Sequence, residues 1–513
     1  MHSLLDLTLL KLAWYLLGLT LLFPSVSSAQ RFNLVWSGYA HSPQHTAIAA
    51  VPSQALHHIR WQTSLDLQPQ YIGNDLLIHY GSPLVTAANT VIIPVKTGAF
   101  DGFKVEARRG SDGALLYTLS TDYSLPPHNW TPSFSPVLSA RNRLYYAGAG
   151  GTVYYRDQPD ATTGPSGQIA FYGTANYAAN PAAFNTTVKI STPITADRSG
   201  NIYFGYTVLG ANPLNLQSGI AKITYDGLGS FVPARALAGR DAAITKVPMN
   251  SALALSNDDR LLYFAISTGS FGVGHLVAVN SRTLAPIARM RLKDPHTGAN
   301  GFLTDDSTAS PTVGPDGDVY YGIFENPFGS NHARGWLLHF NSALSQAKLP
   351  GAFGWDATAS VVSATLVPSY HGTSAYLLLV KYNNYAGAGG DGVNKVAILD
   401  PNAAMTDPIS GVSVMQEVLT IAGPTPDDEF PALPNAVREW CINTAVVDPF
   451  TKSALVNSED GTLYRWDFTT NTLTEHVVLT SGVGEAYTPT LVGVDGTVYA
   501  INNATLFAVG ESP

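Results

Sequence analysis

Residues 310–321, SPTVGPDGDVYY, combine three signals of a β-hairpin. Ser310-Pro311 opens a short apolar strand, Asp316-Gly317 supplies a tight turn, and Val319-Tyr320-Tyr321 begins a second apolar strand. An Asp-Gly pair favours such a turn because glycine accepts the positive φ that the turn requires. The segment therefore predicts a pair of antiparallel strands.

A Ser or Thr followed by Pro or Ala opens an apolar strand at seven further places along the chain. The intervals between successive openings are 53, 57, 59, 59, 53, 81 and 44 residues. A repeat of this length is typical of architectures built from one supersecondary unit stacked many times. The eight openings are Ser82-Pro83, Ser135-Pro136, Thr192-Pro193, Ser251-Ala252, Ser310-Pro311, Ser363-Ala364, Thr444-Ala445 and Thr488-Pro489.

The intervals have room for four strands each, and no sustained 3.6-residue apolar period follows residue 30. The sequence therefore predicts an all-β, eight-bladed β-propeller of four-stranded antiparallel blades, with seven blades as the alternative. The last repeat provides only three strands, and Leu56–Trp61 forms a strand that belongs to no blade. We expect this N-terminal strand to close the ring and to cover its free edges. The openings would then ring the central channel, where a ligand would meet them.

The longest interval contains an insertion at about 401–439. It includes Pro424, Pro426, Pro431 and Pro434 and the acidic run Asp427-Asp428-Glu429. Such a composition predicts a surface loop on one face of the ring. Its two interpretations are a lid over the channel mouth and a mobile loop without a role.

The composition and the N-terminal segment indicate where the protein is located. The formal net charge of −9 argues against binding to nucleic acid or to an anionic membrane. Residues 1–29 have the order of a signal peptide, with Lys11, an apolar run and a small-residue end at Ser27-Ser28-Ala29. The sequence thus predicts a secreted or periplasmic protein that is not a lipoprotein, with residues 30–513 forming a single monomeric domain. No stable membrane span is expected after cleavage, and an uncleaved anchor is the alternative.

Residues 36–46, WSGYAHSPQHT, resemble the opening motif of quinoprotein-like (PQQ-repeat) propellers, with one residue fewer and without its Asp. The hairpins Asp316–Tyr320 and Asp495–Tyr499 are also similar to that family, and the resemblance covers residues 36–510. Members range from dehydrogenases that hold pyrroloquinoline quinone (PQQ) with Ca²⁺ to non-catalytic scaffolds. Because Cys441 is the only cysteine, the adjacent-cysteine disulfide that the family's alcohol dehydrogenases stack on the quinone cannot form. The resemblance therefore favours a member that is not a dehydrogenase, with no cofactor predicted and PQQ with Ca²⁺ as the alternative.

Several local patterns carry candidate chemistry. Residues 387–392 match G-x-G-x-x-G, but a strand follows them where dinucleotide binding needs a helix. His41 and His45 have the spacing of two zinc ligands on a helix, but Pro43 separates them. Asp305-Asp306 and Glu459-Asp460 are carboxylate pairs, which are more often solvated loop acids than acid/base catalysts.

The densest cluster of polar and aromatic residues lies between the sixth and seventh blades. Aromatic faces and amides beside a charge suit a sugar or another small polar ligand, whereas packing between blades is the structural alternative for Trp440. The residues expected to face a ligand are Tyr382, Asn383, Asn384, Arg438, Glu439, Trp440, Glu459 and Asp460.

No nucleophile or acid/base set stands out in the sequence. The pattern therefore favours an exported module that binds a protein or a saccharide. The competing hypothesis is an enzyme, either a quinone-dependent dehydrogenase or a propeller enzyme acting on saccharides.

Overall fold

The computed structural model describes residues 35–73, 75–482 and 489–512. Within them the chain forms eight sheets arranged as the blades of a β-propeller, which confirms the predicted fold class and blade number. Successive strands of each blade pair in antiparallel fashion, and the first strand of each blade is the shortest or nearly so. The predicted signal peptide, residues 1–29, and the eighth opening residue, Thr488, lie outside the described residues.

The first four blades follow an N-terminal strand and a small hairpin. The strands before blade one are β1 (His58–Ser64), β2 (Tyr71–Ile72) and β3 (Asp75–Leu76). Blades one and two contain β4 (Leu84–Val85), β5 (Thr90–Lys96), β6 (Phe103–Arg109), β7 (Leu115–Ser120), β8 (Val137–Leu138), β9 (Arg143–Ala147), β10 (Thr152–Asp157) and β11 (Ser166–Ala170). Blades three and four contain β12 (Val188–Ile190), β13 (Thr195–Ala196), β14 (Ile202–Val208), β15 (Gly219–Ile223), β16 (Gly229–Pro233), β17 (Ala254–Leu255), β18 (Leu261–Ser267), β19 (Phe271–Asn280), β20 (Pro286–Arg291) and β21 (Phe302–Thr304). Three short helices flank blade three, namely α1 (Thr174–Ala179), α2 (Pro181–Thr187) and α3 (Ala234–Leu237).

The remaining four blades complete the ring. Blades five and six contain β22 (Thr312–Val313), β23 (Val319–Ile323), β24 (Trp336–Phe340), β25 (Ser360–Ser363), β26 (Tyr376–Tyr382), β27 (Lys395–Thr406) and β28 (Ser413–Ala422). Blades seven and eight contain β29 (Val446–Asp448), β30 (Ser453–Asn457), β31 (Thr462–Asp467), β32 (Thr472–Val478), β33 (Leu491–Val492), β34 (Val498–Asn502) and β35 (Thr505–Gly510). None of the helices in the described residues, 35–73, 75–482 and 489–512, is long and apolar enough to cross a membrane.

The N-terminal strand closes the ring as predicted. Strand β1 pairs with β35 in antiparallel register, from His58 opposite Gly510 to Ser64 opposite Thr505. It is therefore the outermost strand of blade eight, whose other three strands come from the C-terminus. The side chain of Trp61 is 9% exposed and donates a hydrogen bond to the Gly110 carbonyl in blade one. The pairing leaves blade eight with four strands and joins the two ends of the chain.

The serine and threonine openings connect neighbouring blades. The Oγ of Ser310 accepts a hydrogen bond from the N–H of Ala252 (2.9 Å), and Thr358 Oγ1 accepts one from the N–H of Ser310 (3.0 Å). Ser135 Oγ makes the same contact with the N–H of Ser82 (3.3 Å). A buried hydroxyl needs a hydrogen-bond partner, and the preceding blade supplies it. None of the openings in the described residues lines the cavity that is bounded by Phe324, Asp356 and Lys381. The expectation that a ligand meets the openings stays a prediction.

The predicted position of the sixth opening, Ser363-Ala364, is wrong. Strand β25 ends at Ser363, and the residue that makes the blade-to-blade contact is Thr358. Thr358-Ala359-Ser360 and Ser363-Ala364-Thr365 have the same order of hydroxyl and alanine residues. The sequence pattern could not separate the two, because they differ only in which one reaches the neighbouring blade.

One end of the channel is closed by residues 36–49, which we call the plug. The carbonyl oxygens of Ser37, Pro43, Gln44, Thr46 and Ala47 accept hydrogen bonds, between 2.7 and 3.0 Å long, from the backbone of the innermost strands of blades two, four, five, six and seven in turn. Four non-glycine plug residues have left-handed backbone angles, with φ between 48° and 76°, which lets the segment coil tightly around the axis. The donors are Leu138, Leu255, Val313, Val361 and Val447.

The segment predicted as an insertion is only in part a loop. Residues 401–406 belong to β27 and residues 413–422 to β28, with a turn between them, so the loop proper begins at Gly423. The pairing of these strands shifts between Asp400 and Ala404, so Pro401 lies in a bulge and the strand continues beyond it. The loop folds back on itself, with Arg438 N–H donating to the Thr425 carbonyl (2.9 Å). It also contacts the G-x-G-x-x-G segment, where β27 follows as predicted.

Candidate functional site

A cavity of about 320 Å³ lies at the end of the channel opposite the plug. The plug bonds to residues within the innermost strands, whereas Asp306, Asp356 and Glu439 in the cavity wall precede those strands in blades five, six and seven. The wall is completed by Phe271 in β19, Thr304 in β21, Phe324, Phe328 and Ala333 after β23, Trp355 before β25, Lys381 in β26 and Tyr385 after it. The channel therefore has one closed end and one end with a ligand-sized recess.

Aromatic side chains form much of the cavity wall. Phe324 is buried and packs against three others, with its ring centroid 5.0 Å from that of Trp355, 5.4 Å from Phe328 and 6.0 Å from Phe271. Phe271 is 53% exposed and Phe328 is 68% exposed, so these two rings lie at the mouth. Tyr385 adds a fifth aromatic side chain deeper in the wall. Two large apolar rings exposed beside a cavity are typical of a ligand-binding surface.

A buried ion pair lies in the polar part of the wall. Lys381 Nζ is 3.5 Å from Asp356 Oδ2, and both side chains are at most 4% exposed. Asp356 Oδ1 also accepts hydrogen bonds from the N–H (2.8 Å) and the hydroxyl (2.7 Å) of Thr308. The φ of Asp356 is +50°, a left-handed conformation that Asp tolerates better than most residues. Blade six therefore supplies the cation and the short segment before it supplies the anion.

Asp306 is the second carboxylate of the wall, and it is half-buried. Its oxygens accept long hydrogen bonds from neutral donors, the N–H of Trp130 (3.4 Å) and the amide of Asn129 (3.5 Å). Its neighbour Asp305 is buried, accepts the Met249 N–H and pairs with Lys246. The two consecutive acids thus have different environments, and the one beside the cavity lacks a cation within ion-pair distance in the described residues.

Glu439 belongs to a cluster of carboxyl groups between blades six and seven. Burial, reinforced by the negative charge of Glu459, raises the pKa of Glu439 to about 8. Burial also raises the pKa of Glu459, to about 7, against the opposing effect of Arg438. Arg438 Nη1 lies 2.9 Å from Glu459 and 2.8 Å from Glu429, so one guanidinium forms ion pairs with several carboxylates. The half-buried Glu439 carboxyl is therefore largely protonated at neutral pH.

Glu439, Cys441 and Glu459 place one ligand atom each within 4.8 Å of one another. A thiol and two carboxylates at this spacing have the chemistry to hold a divalent cation such as Zn²⁺. The cluster is also accounted for without an ion, because Arg438 bonds Glu459 and the Cys441 Sγ lies 3.6 Å from the same carboxylate.

Of the eight residues expected to face a ligand, Glu439 lines the cavity, and Arg438 and Glu459 lie beside it. Asn383 is fully buried and bonds the backbone N–H and C=O of Trp440, both at 3.3 Å. Trp440 is itself fully buried and packs edge-on against Tyr464. These contacts hold blade six to blade seven, which agrees with the packing alternative for Trp440.

The other three predicted residues organise nearby loops and strands. Asn384 Oδ1 lies 2.8 Å from the Nδ1 of His332 in blade five, and its amide donates to Asp391. Asp460 accepts the hydroxyls of Thr425 (2.6 Å) and Tyr464 (2.7 Å). Tyr382 is buried beside Phe353 within the blade.

Sequence reasoning missed most of the wall. Lys381 is adjacent to the predicted Tyr382, and Asp306 was considered only together with Asp305. Asp356 lies two residues before Thr358, so the correct position of the sixth opening would have pointed to it. In blades five and seven the corresponding segments carry Asp306, four residues before Ser310, and Glu439, five residues before Thr444. Asp306, Asp356 and Glu439 thus share one sequence signal, an acidic residue shortly before the innermost strand of a blade.

The architecture is similar to that of two dehydrogenases of known structure. A europium-containing methanol dehydrogenase superposes with a TM-score of 0.54 at 10% identity, over 91% of this chain and 89% of the dehydrogenase. The quinohemoprotein alcohol dehydrogenase from Comamonas testosteroni gives a TM-score of 0.51 at 10% identity, over 94% of this chain and 81% of its own. The chain therefore shares its overall β-propeller fold with these two dehydrogenases. At this identity the similarity concerns the fold alone. No protein-family model matches the chain, and no curated protein matches it.

The cavity does not fit PQQ. The quinone carries three carboxylates, and a site for it must offset their charge. The wall contributes three carboxyl groups, from Asp306, Asp356 and Glu439, against one ammonium, from Lys381. That ammonium is already paired with Asp356. Cys441 is buried and has no second cysteine with which to form a disulfide.

Proposed function

We propose that this propeller is a binding protein for a small polar ligand of saccharide size, held in the cavity opposite the plug. The observation that carries the proposal is the composition of that cavity, which combines five aromatic side chains with three carboxyl groups and one ammonium in about 320 Å³. This volume is at the lower end of the range for small-molecule sites. A single sugar unit matches it better than a polymer does.

The two kinds of side chain have complementary roles in this proposal. Phe271 and Phe328 at the mouth offer flat apolar surface, against which the C–H face of a sugar ring packs. The carboxylates of Asp306 and Asp356 accept hydrogen bonds from hydroxyls, and the protonated carboxyl of Glu439 donates one. Binding would need little rearrangement, since the Lys381–Asp356 pair and the Phe324 cluster are buried and packed before a ligand arrives.

Binding is favoured over catalysis because the charged residues of the wall are engaged in fixed contacts. Lys381 is held by Asp356, and Asp356 is held by Thr308. Glu439 with a raised pKa is the group most suited to acid/base work, and it gives the competing hypothesis of a saccharide-acting enzyme its support. Turnover of any sugar that binds would favour that hypothesis.

The proposal is tested by titrating the purified protein with monosaccharides and following tryptophan fluorescence, since Trp355 lines the cavity. Phe328→Leu removes an exposed ring at the mouth and should weaken binding by about tenfold, the effect of losing roughly 1.4 kcal/mol. Phe450→Leu is the matched control, because Phe450 is 57% exposed in a turn at the plug end of the ring. Equal effects of the two substitutions, or no binding at all, would count against the cavity as a sugar site.

We also propose that the chain is exported and monomeric. The support is the signal-like order of residues 1–29, together with blade eight, which needs no second chain because β1 completes it. Determination of the N-terminus of the mature protein tests the first part, and sedimentation tests the second. A mature chain that begins at Met1, or a stable dimer, would contradict them.

A further inference from the structure

The charges around the cavity are unevenly compensated. Outside its wall, the buried acids nearby have cationic partners, as in Arg334 with Asp407 (2.7 Å) and Lys246 with Asp305. Inside the wall, the single ammonium of Lys381 is paired with Asp356. The side-chain oxygens of Asp306, in contrast, accept hydrogen bonds only from neutral donors among the described residues. The wall therefore has more carboxyl groups than cations, and its one ammonium is already paired, so it offers no further cation to an acidic ligand.

The aromatic rings reinforce this preference. Phe324 is packed by Trp355 edge-on, at 83°, and by Phe328 nearly parallel, at 23°, and all three residues line the recess. The face of an aromatic ring is electron-rich and attracts ammonium groups within about 6 Å, most strongly where water is excluded. A cage of such rings beside a carboxylate is an arrangement that binds organic cations.

The geometry points to a ligand that carries a positive charge, an amino sugar or a related organic amine, with its cationic group between Asp306 and the rings of Phe328 and Trp355. This inference rests on the proposed function and narrows its ligand class. The hydroxylated ring would lie against the mouth, and the ammonium would supply the partner that Asp306 lacks. A neutral sugar would leave the charge excess uncompensated, and an acidic sugar would increase it.

The test compares three sugars of the same ring and different charge, glucosamine, glucose and glucuronate, by calorimetric titration at pH 7. Tetramethylammonium is added as a probe that has charge but no hydroxyls. We expect glucosamine to bind at least tenfold more tightly than glucose, the effect of one partly screened charge contact, and glucuronate to bind most weakly. Asp306→Asn should remove most of the glucosamine preference, because it should weaken glucosamine binding much more than glucose binding.

Asp112→Asn is the matched control, because it makes the same charge change at a half-exposed turn between β6 and β7. Tighter binding of glucuronate, equal binding of the three sugars, or an unchanged preference in Asp306→Asn would overturn the inference. In those cases the proposed function stands as long as the Phe328→Leu substitution weakens sugar binding. If neither the sugars nor tetramethylammonium bind, both proposals fail.

Discussion

The ammonium of Lys381 and the carboxylate of Asp356 form an ion pair, 3.5 Å between Nζ and Oδ2, in a wall where neither side chain is more than 4% exposed. Removal of one partner from a buried pair leaves an uncompensated charge, which costs about 3–5 kcal/mol. We expect Asp356→Asn to lower the free energy of unfolding by about 3 kcal/mol in urea titrations.

Asparagine is the appropriate replacement because it tolerates the left-handed φ of Asp356 and can still accept the Thr308 hydrogen bonds. The substitution thus isolates the effect of charge. The control is Asp112→Asn, whose pair with Arg109 is about half exposed and screened by solvent, so that its loss should change the stability little. A loss at Asp356 as small as that at Asp112 would mean that water reaches Lys381.

The plug should make the protein sensitive to mild acid. Burial lowers the pKa of His45 from 6.5 to about 4, although its Nδ1 donates to the Pro311 carbonyl. The unfolded chain therefore binds a proton at His45 between pH 6.5 and 4 while the folded chain does not, so stability is full above pH 6.5 and falls as the pH drops. The loss is about 3 kcal/mol at pH 4.

Chemical denaturation at pH 7, 5.5 and 4.5 measures this loss. His45→Asn keeps a residue that tolerates the φ of 60° and has no titratable group, so its stability should depend less on pH. His57→Asn is the control, since His57 is exposed. If the two variants show the same acid dependence, the plug histidine does not remain neutral in the fold.

Ring closure predicts the effect of removing the N-terminal strand. Deletion of residues 56–63 takes away most of β1 and leaves β35 with an unpaired edge. An exposed edge strand pairs with other chains, so we expect insoluble protein or large soluble assemblies in size-exclusion chromatography. Deletion of residues 511–513, which follow the last strand, should have no such effect. A soluble, β-rich deletion variant would show that the ring holds without its closing strand.

The fold could be predicted from the sequence because each blade repeats the same local pattern. The serine or threonine at the start of the innermost strand recurs because its hydroxyl bonds the backbone of the neighbouring blade, as Ser310 does with Ala252. The misplaced sixth opening shows the limit of this reasoning. Thr358 and Ser363 have nearly the same neighbours in sequence, and only the packing of blade five against blade six selects Thr358.

The cavity could be predicted only in part. Glu439 was found because it belongs to a dense cluster in sequence, whereas Asp306 and Lys381 reach the cavity from different blades. The ring of Phe271 comes from the first residue of β19 and that of Phe328 from a loop, and neither belongs to a motif. The plug was seen as a family-like motif at residues 36–46, but its hydrogen bonds to successive blades depend on backbone carbonyls, which no side-chain pattern encodes.

Glu439 should make cation binding dependent on pH. Its pKa of about 8 means that the carboxyl is mostly neutral at pH 7 and ionised at pH 9. An ionised carboxylate attracts a cation and a protonated one does not, so tetramethylammonium, whose own charge is fixed, should bind several-fold more tightly at pH 9 than at pH 7. The charged and titratable groups that act on Glu439 are Glu459, Lys381, Asp427, Glu429, Arg438, Cys441 and Tyr385.

Calorimetric titration of tetramethylammonium between pH 6.5 and 9 measures this dependence. Glu439→Gln keeps the shape of the side chain and removes its titration, so the affinity of this variant should be nearly constant over the range. Asp306→Asn is the informative comparison, because it should weaken binding at every pH and leave the dependence in place. If Glu439→Gln keeps the wild-type slope, Glu459 or another member of the cluster controls the charge of the cavity, and Glu439 has no direct contact with the cation.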